Sequence, residues 1–326
     1  RPYLGGQSEQ AVKTCLSSRY PRSSFLLANK LSASCFQSRE DIRPLVRRQL
    51  DACGVDYFDC YLMHAQDAKR FERYRELQAY ETAFRLREEG VLRHVGLSFH
   101  DRAEVLERIL TAYPELEFVQ IQFNYLDYDD AVVQSRACYD VCRAFGKPMC
   151  VMEPVKGGRL ANLSEAEKKE LDRLGNRFSP AGYALRFALD FEGVEMVLSG
   201  MSSLEQMEDN LRTMSSAGPL SPSEKDALEN VRRLMQGEGQ IPCTSCRYCV
   251  EGCPAGIPIP DLFSCWNSNL RGNGWTSRKR YADLTEGGGR ASDCLRCGGC
   301  EDACPQHLPV RDHLQAVAGV FDAERP

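Results

Sequence analysis

The runs SFLLANKL (24–31), YFDCYLM (57–63), LRHVGLS (92–98), FVQIQFN (118–124), PMCVMEP (148–154) and VEMVLSG (194–200) are short and apolar, and amphipathic helix-like segments separate them. Continuous apolar runs between helices point to a parallel sheet covered on both faces, because a half-solvated strand would alternate polar and apolar residues. The pattern over residues 20–236 therefore reads as repeated βα units. A closed (β/α)8 barrel has eight strands. Six runs predict either an open sheet or two further strands ahead of Arg1.

Outward from these runs, the composition is that of a globular protein. Of 326 residues, 43% are hydrophobic and 27% charged, enough for one large core and a smaller appendage. Ser221-Pro222-Ser223-Glu224 offers an N-cap, a first-turn proline and a capping-box glutamate ahead of DALENVRRLM. Gly237, Gly239 and Pro242 then break the pattern, which places a boundary between a barrel over 1–236 and a second domain over 237–326. A net charge of -5 without a basic stripe argues against nucleic acid as a partner. No stretch is apolar over about 18 residues and no leader is visible, so no membrane span is expected and the cytoplasm is the expected compartment.

Half of the 16 cysteines fall into two compact groups. Cys243, Cys246, Cys249 and Cys253 have the spacing C-x2-C-x2-C-x3-C followed by Pro254, and Cys294, Cys297, Cys300 and Cys304 repeat it before Pro305. Three thiolates on a tight loop reach three irons of a cubane, and the fourth comes from elsewhere. In two-cluster ferredoxins the fourth cysteine of each run serves the other cluster, so Cys304 is expected to complete the first 4Fe–4S site and Cys253 the second. A pair of zinc sites is the rival, but zinc does not call for a doubled run ending in proline. IPDLFSCWNSNL (259–270) and LPVRDHLQAVAGVF (308–321) read as helices, which makes this region resemble the all-helical ferredoxin type used as an electron-transfer module. Cys15, Cys35, Cys53, Cys60, Cys138, Cys142, Cys150 and Cys265 lack ligand spacing and read mostly as small core residues.

Lys30 ends one apolar run and His64 the next. Parallel barrels place their chemistry at the C-terminal ends of strands, so the two are expected to share a pocket. His100 and Asp101 read as loop-structure residues, and Lys156 in EPVKGG (153–158) as a further pocket residue.

On these residues the chain resembles the aldo-keto reductases over residues 1 to about 215. The segment Tyr3-Leu4-Gly5-Gly6-Gln7-Ser8-Glu9 is similar to the stretch that carries the family's catalytic tyrosine, Lys30 matches its lysine, and His64 in DYFDCYLMH matches its histidine. The resemblance implies Tyr3 as proton donor, Lys30 lowering its pKa and His64 orienting a carbonyl. It also implies that the family's catalytic Asp and first two strands lie upstream of Arg1. A nicotinamide cofactor is implied at Ser98, Gln120, Met152 and the loop SGMSSLEQMEDN (199–210), with Gly200, Gln206, Asp209 and Asn210 as its contacts. Three positions depart from the family: Phe99 replaces an asparagine, Met152 a stacking tyrosine, and Gln206 an arginine that pairs with a 2′-phosphate. The last leaves NADH and NADPH both open.

The sequence thus predicts an α/β protein, a TIM-type barrel followed by a small helical ferredoxin-type domain. It reads as an oxidoreductase acting on a carbonyl or related unsaturated small molecule. Nicotinamide moves two electrons at once and a cluster moves one, so a flavin, a substrate radical or a redox partner protein must connect them. The alternative is an electron-transfer subunit whose barrel is a docking scaffold.

Overall fold

The computed structural model describes residues 4–130, 133–175, 177–216, 218–235, 239–270 and 274–323. Each of the six apolar runs contains a strand: β1 (Ala28–Leu31), β2 (Phe58–Gln66), β3 (Leu92–Phe99), β4 (Val119–Gln122), β5 (Met149–Met152) and β6 (Val194–Val197). They form one parallel sheet in sequential order, β1 to β6. This is the order of successive strands in a TIM-type α/β fold. β2, β3 and β4 are buried almost throughout, as a two-sided sheet requires. β1 and β6 are the edge strands among the described residues, and Met196 on β6 is 44% exposed for want of a neighbour there.

The helices between strands follow from their apolar spacing. Ile42–Cys53 buries Ile42, Leu45, Val46, Gln49, Leu50 and Cys53, one stripe of a 3.6-residue period. The short turn Arg39–Asp41 that leads into it is closed by a Ser38–Asp41 capping box, and the helix end is held by Gly54 at φ +68°. Pro222–Met235 begins as its sequence foretold, with Ser221 Oγ accepting from the Glu224 N–H and Glu224 accepting from the Ser221 N–H at 2.8 Å.

The chain forms two compact units. One holds Arg1–Phe123, Asp127–Met152 and Phe191–Leu198, and therefore the whole sheet. The other holds Asn124–Leu126, Glu153–Asp190 and Ser199–Pro326. Two apolar clusters fill the second unit. One is built on Leu160, Tyr183, Leu228 and Val231, the other on Ile259, Leu262, Phe263, Leu314 and Val317 around the cysteines. The helices Ile259–Leu270 and Val310–Phe321 are the two expected there, and a third, Gly274–Thr285, lies between them. Tyr281 of that third helix stacks on Phe321 at 4.8 Å, donates to Asp322 and accepts from the Ala291 N–H.

Candidate functional site

Strand register decides which side chains meet. Lys30 lies opposite Leu62 on β2, and Leu62 opposite Gly96 on β3. Ser98, two residues beyond Gly96, lies opposite Gln120, and Gln120 opposite Cys150. Alternation along each strand therefore puts Lys30, Ser98, Gln120, Cys150 and Met152 on one face of the sheet. His64 joins them two residues after Leu62, and it senses the Lys30 charge.

The segment around His64 is shaped by an irregularity. The β2–β3 register shifts between Met63 and Gln66, and Ala65 takes φ +51°. Ala65 N–H donates to Ser98 Oγ at 2.7 Å, which anchors the shifted backbone and turns His64 onto the shared face. His64 is 8% exposed, and Ser32 Oγ lies 2.6 Å from its Nδ1. Burial and then the Lys30 charge pull the imidazole down to about 3, so the ring is neutral across the physiological range. Burial lowers the largely buried Lys30 to about 8, with Cys150 opposing the fall. The lysine is thus mostly cationic near neutral pH, and it stands next to an imidazole that is not. Tyr3 lies outside the described residues.

The positions expected to hold a nicotinamide divide between the two units. In the first, Ser98 Oγ accepts from the Ala65 amide, Gln120 Nε2 donates to Met152 Sδ at 3.0 Å, and Phe99 is buried. In the second, Ser203 caps the helix Leu204–Ser215. Gln206 Oε1 accepts from the Ser202 N–H at 2.7 Å, Ser179 Oγ donates to Asp209 at 2.5 Å, and Asn210 Nδ2 donates to Ser199 Oγ at 2.9 Å. Nothing lies within 4 Å of where a Gly200 side chain would start.

The cysteines assemble across the two motifs. The charges that act on Cys249 are those of Cys243, Cys246 and Cys304, so these four thiols lie together. Cys253 lines one cavity with Cys294, Cys297 and Cys300. The donors fit 4Fe–4S clusters, since each group offers four thiols and Ser245 N–H points at Cys243 Sγ from 3.4 Å. Burial pushes the Cys243 thiol up to about 11 and that of Cys249 to about 12. Among the described residues no three His, Cys, Asp or Glu side chains converge on a single-ion site. A cubane is reached by thiols placed around it, as the four that line the Cys253 cavity are. Of the other eight cysteines, Cys53, Cys138, Cys142 and Cys265 are buried, while Cys150 is half-buried on the Lys30 face.

Asp101 has the structural part expected of it, accepting from the Ala68 N–H at 2.8 Å, and His100 N–H donates to the Gln66 carbonyl. Lys156 is buried in the second unit, on the stretch Glu153–Asp190, and the cysteine loops lie on another stretch of that unit, Ser199–Pro326. Sequence reasoning passed over Ser32 and Cys150. The signal for Ser32 was its spacing of two from Lys30, which puts both on one face of an extended segment. Cys150 becomes visible only through strand register.

A parallel βα sheet with Lys30 and His64 on one face at its strand ends, joined to a doubled cysteine motif, defines a TIM-type α/β oxidoreductase with an iron–sulfur region. Residues 2–233 match the aldo/keto reductase family, and the chain belongs to it. Residues 242–308 match a 4Fe–4S dicluster domain. Solved structures with a similar fold include a thermostable aldo-keto reductase in complex with the inhibitor epalrestat, at 20% identity and TM-score 0.57, covering 70% of this chain and 79% of that one. The holo form of an aldo-keto reductase from Bacillus halodurans matches at 24% identity and TM-score 0.51, covering 68% and 76%. An aldo-keto reductase from Klebsiella pneumoniae in complex with NADPH matches at 17% identity and TM-score 0.56, covering 71% and 77%. A comparison with curated proteins finds no match. Among the described residues no helix is long and apolar enough to cross a membrane.

Proposed function

We propose that this oxidoreductase reduces a carbonyl, or a related unsaturated bond, of a small molecule, with Tyr3 as proton donor, Lys30 as the cation that eases the donation and His64 as the group that orients the substrate oxygen. The observation that carries this reading is the strand-end face that Lys30 shares with a neutral, Ser32-held histidine. A free tyrosine titrates near 10 and is a weak acid at neutral pH. A neighbouring ammonium stabilises its phenolate, so the proton leaves more readily as hydride reaches the carbonyl carbon and charge builds on oxygen. Ser32 Oγ holds the ring at Nδ1, and in this reading the neutral imidazole presents Nε2 to that oxygen.

NAD(P)H is the proposed hydride source, at Ser98, Gln120, Met152, Gly200, Gln206, Asp209 and Asn210; the NADPH complex of the Klebsiella neighbour supports it. Two 4Fe–4S clusters are proposed, the first on Cys243, Cys246, Cys249 and Cys304, the second on Cys294, Cys297, Cys300 and Cys253. When bound, nicotinamide supplies hydride and the clusters supply single electrons, so a flavin or a redox partner protein is the proposed link.

The test is a pair of variants assayed on a substrate found by screening ketones, aldehydes and enones with NADH, NADPH and a reduced low-potential dye. Tyr3→Phe is expected to lower turnover by about 10²–10⁴, the usual worth of general acid catalysis, with cluster spectra intact. Full activity in Tyr3→Phe would mean that the pocket uses another acid.

A second reading is supported by the internal hydrogen bonds at the cofactor positions, Ser98 Oγ accepting from Ala65 and Gln120 Nε2 donating to Met152. In it the barrel is a docking scaffold for an electron-transfer subunit. Nicotinamide binding in the micromolar range, measured by fluorescence or calorimetry, separates the two.

A further inference from the structure

The turn EPVKGG (153–158) follows β5 in sequence and belongs to the same compact unit as the eight ligand cysteines. Its backbone is unusual. Glu153 has φ +58°, Lys156 +46°, Gly157 +58° and Gly158 +90°, so two residues with side chains occupy the left-handed region that sterics disfavour. Something fixes this turn in place, and the site of closest approach is Gly157. A Cβ there would lie 2.1 Å from the Thr244 carbonyl oxygen, which only glycine allows. Thr244 separates Cys243 from Cys246 and is 3% exposed, while Lys156 beside Gly157 is 2% exposed. The turn is therefore packed backbone to backbone against the first cysteine loop, with a lysine buried at the contact. The turn thus brings one cationic and one anionic residue, Lys156 and Glu153, to the loop that carries Cys243 and Cys246. Beside the second motif, Glu301 is bound to Arg311 at 2.6 Å.

We propose that the turn 153–158 sets the reduction potential of the first cluster, Lys156 raising it and Glu153 lowering it, so that two clusters with the same ligand spacing differ in potential. An electron added to a cluster adds negative charge. A buried cation stabilises that charge in a low dielectric and a carboxylate opposes it. Neither side chain is needed as a ligand or as a contact to substrate; both act through the cluster. The inference rests on the two-cluster reading above.

The full chain, reconstituted anaerobically, is titrated potentiometrically and followed by electron paramagnetic resonance. Lys156→Gln is expected to lower the potential of one cluster by at least a tenfold change in its reduction equilibrium, 59 mV for one electron, and to leave the other unmoved. Glu153→Gln is expected to move the same cluster upward, and Lys156→Arg to restore the original value. The affected cluster should be the one that persists in Cys253→Ser. Should Lys156→Gln fail to load the first cluster, Glu153→Gln decides alone. Potentials unmoved in the variants, or both clusters moving equally, overturn the inference. A wild-type protein with fewer than two clusters overturns the cluster reading instead.

Discussion

A histidine pulled down to about 3 stays neutral near neutral pH, so the part proposed for His64 is that of a fixed hydrogen-bond donor. Its orientation depends on Ser32, and Ser32→Ala is expected to raise KM several-fold with a smaller loss in kcat, while His64→Ala loses more of both. Steady-state kinetics of the two variants on one substrate check the order. In the proposed reaction Lys30 is the group that would carry the pH dependence. Burial lowers its pKa to about 8, so its cationic form is present below that pH and is lost as pH rises through it. Turnover should fall on the alkaline side with a midpoint near 8, and Lys30→Met should remove that limb along with most of the activity. A wild-type profile flat to pH 10 would show that the Lys30 charge plays no part.

At the scale of elements, the turn 153–158 makes its own prediction. Gly157→Ala places a methyl group into the Thr244 backbone and strains a left-handed residue, so the cysteine loop must shift. Iron bound per chain should fall through loss of the first site, with destabilisation of about 1–3 kcal/mol in denaturant melts. Gly90→Ala is the control, since Gly90 also has a left-handed φ but nothing lies within 4 Å of the added carbon. Its cost should be about 1–2 kcal/mol of strain with iron content unchanged.

The elements were legible where hydrophobic pattern dictates structure. Every apolar run holds a strand because a buried parallel strand must be apolar on both sides, and the helices 259–270 and 308–321 showed because they bury continuous stripes. The helix Gly274–Thr285 did not show, since GWTSRKRYADLT is mostly polar and is tied down largely by the single aromatic Tyr281. The cysteine ligands were legible because spacing along a loop is local chemistry. The packing of Gly157 on Thr244 was not, because it joins residues distant in sequence and depends on backbone shape.

For the whole molecule the decisive measurement is iron. Two cubanes require about eight irons and eight acid-labile sulfides per chain after anaerobic purification. Stoichiometric zinc without brown absorbance would replace the cluster reading with the zinc one. Cys253→Ser should damage the second cluster more than the first, because Cys253 sits with Cys294, Cys297 and Cys300.

The two compact units are woven from one thread. The chain passes between them five times, leaving the sheet-bearing unit for Asn124–Leu126, again for Glu153–Asp190, and finally at Ser199. A ribosome delivers β6 only after much of the other unit's first core has emerged, and that core, built on Leu160 and Tyr183, waits for Leu228 and Val231 to close it. No single proteolytic cut or cloning boundary can release either unit whole. A fragment starting at residue 239 would carry all eight ligand cysteines yet leave behind Lys156 and Gly157, the part of its own unit that packs on the first of them.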